Sequence, residues 1–328
     1  MDQRLDSLSN WLKEQTSINI ERIEPASEDA SFRRYFRIFT KNDQYIAMDA
    51  PPETEQTQPF IDVAQQLSKL GLHVPKIHYL DTELGFIVLE DLGTRTYLSQ
   101  LNDDPQSLYS DAIDALITLQ TSVSTHTDFS PPPYSAKLLR QEMDLFRQWY
   151  LNKHLQNTTS EASYAVWLHT QQFLINECLE QPQTWVHRDY HSRNLMITNE
   201  NSPGIIDFQD MVLGPISYDL ASLFKDCYIE WPRQKQIEWL TEYYQKFNQR
   251  MNESNFDIDQ LIRWYDLTGL QRHIKVLGVF CRLNYRDNKA HYLNDLPLVA
   301  KYVLDTLPRY PELDGFDAHF RHLIEKSL

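Results

Sequence analysis

The sequence predicts an α+β protein in two lobes, a small mixed β-sheet lobe followed by a larger, mainly helical one. Three observations predict it. Residues 1–92 carry short β-rich runs between polar turns, residues 93–328 carry long helical stretches, and one β-rich island at 185–209 interrupts those helices.

In chain order, residues 20–23, 35–39 and 44–48 read as strands. A helix over 60–70 follows, with Phe60, Ala64, Leu67 and Leu70 near helical spacing and Gly71 as its stop. Residues 76–80 and 85–89 read as a hairpin about Asp-Thr-Glu-Leu-Gly. The composition shifts near 90–93, which places a boundary after residue 92. Helices are expected over 107–123, 136–155, 161–179, 218–229 and 259–285, with Pro131, Pro132 and Pro133 marking a loop among them.

Composition narrows the function. A formal net charge of -15 argues against nucleic acid as a partner, because that needs a basic footprint. An acidic surface attracts cationic substrates, although acidity also serves solubility alone. No apolar run approaches the ~20 residues that cross a bilayer, and the N-terminus has no basic and apolar leader pattern. The three cysteines, Cys178, Cys227 and Cys281, are scattered and form no CxxC pair, which suits a reducing cytosol. A cytoplasmic protein acting on a small molecule is expected, with no membrane or nucleic-acid partner; oligomeric state leaves no mark.

The segment that carries chemistry runs from His187 through Asp189 and Asn194 to Asp207. Residues 195–198 and 205–208 are apolar runs around a Pro-Gly turn and read as a hairpin. Folding it brings Asn194 and Asp207 towards its open end, with Asp189 just upstream. Phosphoryl transfer needs that set: a carboxylate that orients the acceptor hydroxyl and takes its proton, and two hard oxygen ligands for Mg²⁺ on the nucleotide phosphates. The plain alternative is a polar hairpin with Asp189 and Asp207 capping turns.

At these residues the chain resembles the aminoglycoside-phosphotransferase and choline-kinase superfamily, a relative of the protein-kinase fold. The resemblance implies a protein-kinase-like two-lobed fold, ATP and Mg²⁺ as cofactors, Asp189 as base, and Asn194 and Asp207 as metal ligands. It implies that Asp219, in Tyr-Asp-Leu-Ala-Ser, braces the catalytic loop; a first-turn helix carboxylate is the other reading. His187 is expected to hold the loop. His191 and Arg193 either face phosphates and acceptor or pack the loop. Val-Leu-Glu-Asp-Leu-Gly at 88–93 stands where a kinase hinge belongs, so the backbone of Glu90 and Leu92 is expected to bond adenine.

The chain departs from the pattern at its nucleotide site. No glycine precedes Gly71, so there is no Gly-rich loop or Walker A motif. The candidate phosphate loop is residues 27–37, with small Ala30 and Ser31 and the basic Arg33 and Arg34. Met48 occupies the place of the phosphate-binding Lys, and a thioether cannot pair with phosphate. Asp62 is the nearest stand-in for the usual helix Glu.

Asp-Ala-Ser-Phe-Arg-Arg-Tyr-Phe-Arg at 29–37, Met-Asp-Ala-Pro-Pro-Glu at 48–53, Phe-Gln-Asp-Met-Val-Leu-Gly-Pro at 208–215 and the run from Gly269 to Phe280 resemble one branch, the anomeric (C1) kinases of N-acetylmuramate and N-acetylglucosamine in peptidoglycan recycling. Glu28 stands where that branch has glycine. On a helix, Arg272, Lys275, Arg282 and Arg286 fall within about an 80° arc, a stripe suited to a sugar carboxylate or to nearby surface acids. Other readings stay open: an aminoglycoside or other small-molecule kinase, a metal-dependent hydrolase using His187, Asp189, His191 and Asp207, or a non-catalytic kinase-like binding module.

Overall fold

The structure, a computed structural model, describes residues 2–28, 32–122, 129–252 and 255–328. In chain order its elements are α1 (Gln3–Gln15), β1 (Arg22–Glu28), β2 (Arg34–Phe39), β3 (Gln44–Asp49), α2 (Gln58–Lys69), β4 (Ile77–Asp81), β5 (Phe86–Glu90), α3 (Pro105–Thr121), α4 (Ala136–Leu145) and α5 (Glu161–Leu179). There follow β6 (Gln183–Val186), β7 (Leu195–Met196), β8 (Gly204–Ile205), β9 (Val212–Pro215), α6 (Tyr218–Phe224), α7 (Arg233–Met251), α8 (Ile258–Asp287), α9 (Leu296–Thr306) and α10 (Asp314–Ile324). They form two compact units: Met1–Tyr97 with Asn194–Asp210, and Leu98–Arg193 with Met211–Leu328.

The first unit is a five-stranded antiparallel sheet in the order β1-β2-β3-β5-β4. Its β4–β5 turn is set by Asp81, whose Oδ1 accepts from the N–H groups of Glu83 and Leu84 at 3.1 and 2.9 Å. Gly85 closes that turn at φ +73, where a Cβ would lie 1.9 Å from the Ala50 carbonyl oxygen. Helix α1, absent from the sequence expectation, covers one face: Leu8, Trp11 and Leu12 pack on Phe36, Ile38, Ala47, Phe86 and Val88. Its signal was the helical spacing of Leu5, Leu8 and Leu12 behind the N-cap Asp2, whose side chain accepts from the Leu5 N–H. The short β7–β8 hairpin joins this unit through Ile205 N–H to the His73 carbonyl at 2.7 Å and Ile197 N–H to the Arg95 carbonyl at 2.8 Å. Gly204 has no side chain because Leu92 Cδ1 sits 2.8 Å from where its Cβ would be.

The second unit is helical around α8, which α4, α5, α6 and α9 flank. Its core includes Phe146, Trp167, Leu270, Leu277 and all three thiols. The predicted helix 136–155 is two structures, α4 running into a π-helical stretch Phe146–His154. At that join α8 crosses so closely that a Cβ on Gly278 would lie 2.2 Å from the Leu145 carbonyl carbon. Gly278→Ala is therefore expected to destabilise the protein by about 3 kcal/mol or more, at or above the top of the usual overpacking range because the clash is with backbone; urea unfolding checks it. Helices α7, α9 and α10 were not anticipated, although Leu240, Tyr243 and Phe247 of α7 show the buried spacing of a helix. Among the described residues no helix is long and apolar enough to cross a membrane.

Candidate active site

In the first unit, β7 and β8 pair Leu195 with Ile205 and Met196 with Gly204. That register puts Asn194 and Asp207 at the open end, and Asn194 Nδ2 donates to Asp207 Oδ2 at 3.3 Å. Gln209 Nε2 donates to the other carboxylate oxygen at 2.8 Å. Asp207 has φ +64, a left-handed conformation that Asp adopts more readily than most residues. The donors here are oxygen-bearing with no His or Cys, and among the described residues no three His, Cys, Asp or Glu side chains form a metal cluster. An amide oxygen and a carboxylate are hard donors of the kind that would suit Mg²⁺, which keeps waters and takes phosphate oxygens.

The expected phosphate loop has a different setting. Ala30 and Ser31 lie outside the described residues. Arg33 pairs with Glu55 at 3.1 Å, and Arg34 pairs with Asp2 and, at 2.6 Å, with Asp49. Arg4 also holds Asp49, through Nε at 3.1 Å, so a fully buried carboxylate sits between two guanidiniums directly after Met48. Met48 itself is fully buried between Tyr35 and Ile87 in the sheet. Asp62 is exposed and takes a hydrogen bond from Gln58. At the expected hinge the Glu90 N–H donates to the Lys76 carbonyl at 2.8 Å. Arg37 of β2 grips Asp91 with two hydrogen bonds, 2.6 and 3.0 Å, and donates to the Gly93 carbonyl at 3.1 Å. This clamp on residues 91–93 escaped the sequence reading because 54 residues separate its partners.

In the second unit, β6 pairs with β9 and delivers the loop that begins at His187. Asp219, fully buried at the start of α6, accepts from the His187 N–H at 2.7 Å and the Arg188 N–H at 3.0 Å. Burial pushes its carboxyl up to about 7, against the pull of those two donors. Asp226 grips the far end of the loop through the Ser192 N–H at 2.9 Å and the Ser192 hydroxyl. His187 is buried, and its Nδ1 accepts from the Asp189 N–H at 3.3 Å. His191 stands edge-on to Tyr228 with ring centroids 5.4 Å apart, and burial lowers its ring below its ordinary range. Arg193 lies flat on the same tyrosine, 3.5 Å from the ring centre.

Asp189 is half-buried. Burial raises its carboxyl, but Lys275, then His191, Arg272 and Arg188, outweigh that and hold it at about 2. Lys275 is fixed by Glu142 and the Tyr218 hydroxyl, both at 3.2 Å. Glu142, a nearly buried carboxylate on α4, also pairs with Arg188 and takes the Tyr134 hydroxyl. Sequence reading missed Glu142 and Asp226. Arg272 is buried and donates to Cys227 Sγ at 3.3 Å. The α8 stripe thus divides: Arg272 and Lys275 act on Asp189, whereas Arg286 is exposed and paired with Asp287 at 2.8 Å. Arg282 is half-buried with its Nε lacking a hydrogen-bond partner.

Because Asp189 is held below its ordinary range, it stays ionised throughout the working pH range and protonates only near pH 2. Lys275→Met is expected to raise that carboxyl by about 1–3 units, moving the acid limb of kcat/KM to higher pH. Lys275→Arg should restore most of it. An acid limb unmoved by Lys275→Met would separate the ammonium from Asp189.

A carboxylate kept charged on a doubly braced loop, and an Asn–Asp oxygen pair on the hairpin that follows it in sequence, are the residue types that phosphoryl transfer to a hydroxyl needs. The chain belongs to the phosphotransferase enzyme family, which its residues 22–257 match. It is 41% identical over 323 residues to the N-acetylmuramate/N-acetylglucosamine kinase of Pseudomonas putida, covering 95% of this chain and 94% of that one. It is 36% identical over 320 residues to the kinase of that name from Neisseria meningitidis serogroup B, covering 95% and 93%. Among solved structures, choline kinase from Streptococcus pneumoniae superposes with a TM-score of 0.65 at 16% identity over 91% of this chain and 99% of that one. An ADP-bound aminoglycoside phosphotransferase superposes at 0.61 and 16%, over 90% and 96%. Both share the kinase-like fold expected from the sequence. The hydrolase reading falls with this family.

Proposed function

We propose that the protein is an ATP- and Mg²⁺-dependent sugar kinase that phosphorylates the C1 hydroxyl of N-acetylmuramate and N-acetylglucosamine. The identity with kinases named for those two sugars, running almost the whole length of both chains, carries this reading. In it Asp189 orients the acceptor hydroxyl and receives its proton as the new O–P bond forms and the bond to the ADP leaving group breaks. Asn194 and Asp207 are the residues that would hold Mg²⁺, which would supply positive charge to the nucleotide phosphates. A base as weak as Asp189 suits this reaction, because in a loose transition state the hydroxyl loses its proton late. Lys275 and Arg272 keep the carboxylate charged until then, and Asp219 and Asp226 hold its loop.

Arg282 is the counter-ion best suited to the lactyl carboxylate of N-acetylmuramate. Its Nε is without a partner, and it lies seven residues beyond Lys275 on the same helix face. The test is turnover of both sugars with ATP and Mg²⁺, with the product phosphate located by NMR. Arg282→Met is expected to raise KM for N-acetylmuramate about tenfold, the loss of one charge-assisted contact, and to leave neutral N-acetylglucosamine nearly unchanged. Kanamycin turnover without sugar turnover would overturn the acceptor assignment.

A further inference from the structure

The second unit holds a cavity of about 230 Å³ to which no residue of 187–210 contributes. Its cations are Lys225, Arg233, Lys301 and Arg309, and Trp231 and Tyr302 add aromatic walls. Lys225 and Arg233 converge on one carboxylate, Asp266, at 2.8 and 2.5 Å. Lys225 and Asp266 are almost wholly buried. Lys301 bridges Glu230 and Asp305 at 2.8 and 2.7 Å. Arg309 gives its Nε to the Asp305 carbonyl at 2.9 Å and meets no carboxylate within ion-pair distance among the described residues. Four cations therefore face three carboxylates, an excess of one positive charge, on a chain whose net charge is -15.

From this arrangement we infer that the cavity is a binding site for a small phosphate-bearing anion, separate from the residues that carry phosphoryl transfer. The cation without a carboxylate, Arg309, is exposed and lines the same cavity as the buried Lys225. Lys225 is inside the protein, and burial, then Arg233 and Arg309, drive its ammonium below the ordinary range against the pull of Asp266. An anion at the mouth relieves that repulsion, and Arg233 and Arg309 offer it planar N–H donors that match phosphate oxygens. Gly269 is part of the construction: a Cβ there would lie 3.3 Å from Lys225 Cδ, so the glycine leaves the lysine its path to Asp266. The volume falls below the roughly 300 Å³ at which drug-sized pockets begin, so the ligand is inorganic phosphate or the phosphate group of a small ester.

The experiment is calorimetric titration of the full chain with inorganic phosphate and, separately, with glycerol 3-phosphate. Sodium chloride of equal ionic strength is the blank, and every titration is repeated on Asp207→Asn, which lacks the anionic carboxylate of the phosphoryl-transfer site and keeps a residue suited to φ +64. Binding is expected in wild type and in Asp207→Asn alike. Arg309→Glu, an exposed position, is expected to weaken it at least tenfold while leaving turnover in phosphate-free buffer unchanged. Lys301→Glu serves as a second exposed variant with the same expected weakening. Binding of phosphate alone identifies the free anion as ligand, and binding of both identifies the ester class. Heat no greater than the chloride blank, equal affinity in Arg309→Glu and wild type, or loss of binding in Asp207→Asn would each overturn the site.

Discussion

Asp189→Asn is expected to lower kcat by about 10²–10⁴-fold, the usual contribution of a positioned base, and to leave the fold in place. The carboxamide has the carboxylate's shape but cannot take the acceptor's proton. The loop does not depend on that side chain for its form, because Asp219 holds its start and Asp226 its end. A lower Tm is expected all the same. The folded protein depresses the Asp189 carboxyl to about 2, so its charge stabilises the fold above the ordinary carboxylate range, and that stabilisation fades as pH falls towards 2. The variant should consequently lie closest to wild type in Tm at acid pH and furthest below it near neutrality. Turnover within threefold of wild type in a folded Asp189→Asn protein would remove Asp189 from the chemistry.

Asp207→Asn is expected to cost about 10²-fold or more in turnover and to shift half-saturating Mg²⁺ upward, since the change removes the anionic ligand of the pair. Asn is the informative replacement. Asp207 sits at φ +64, which Asn tolerates and Ala does not, so Asp207→Ala mixes lost metal binding with backbone strain. Asn also keeps an oxygen towards Gln209, whose amide donates to Asp207 Oδ1 at 2.8 Å. An unchanged Mg²⁺ dependence would place the metal elsewhere.

What the sequence made legible was whatever lies close together along the chain. Asp189, Asn194 and Asp207 are separated by five and thirteen positions, and one Pro-Gly turn suffices to foresee that the last two meet. The supports of the same chemistry come from far away. Glu142 reaches Arg188 across 46 residues, and Arg37 reaches Asp91 across 54. In a one-dimensional reading each is one acid or arginine among many. The basic stripe shows a second limit. Helical periodicity assigned Arg272, Lys275, Arg282 and Arg286 to one face but not to one environment. The first two lie within the buried span of α8, while Arg286 belongs to its last turn and pairs with its neighbour in solvent. The hairpin shows a third, because Asn194–Asp210 lies in the middle of the second unit's sequence yet packs with the first unit.

The placement of the thiols in the core gives the protein an internal reporter. Cys178, Cys227 and Cys281 are all buried, and all belong to the second unit. A thiol-alkylating reagent therefore modifies the native protein only as fast as that unit opens, so labelling rates measure its opening free energy residue by residue. The first unit is silent to such a reagent and carries a single tryptophan, Trp11, on the helix that covers its sheet. Mass-resolved alkylation followed beside the fluorescence of Trp11, with the other tryptophans replaced, reads the unfolding of each half of the molecule separately.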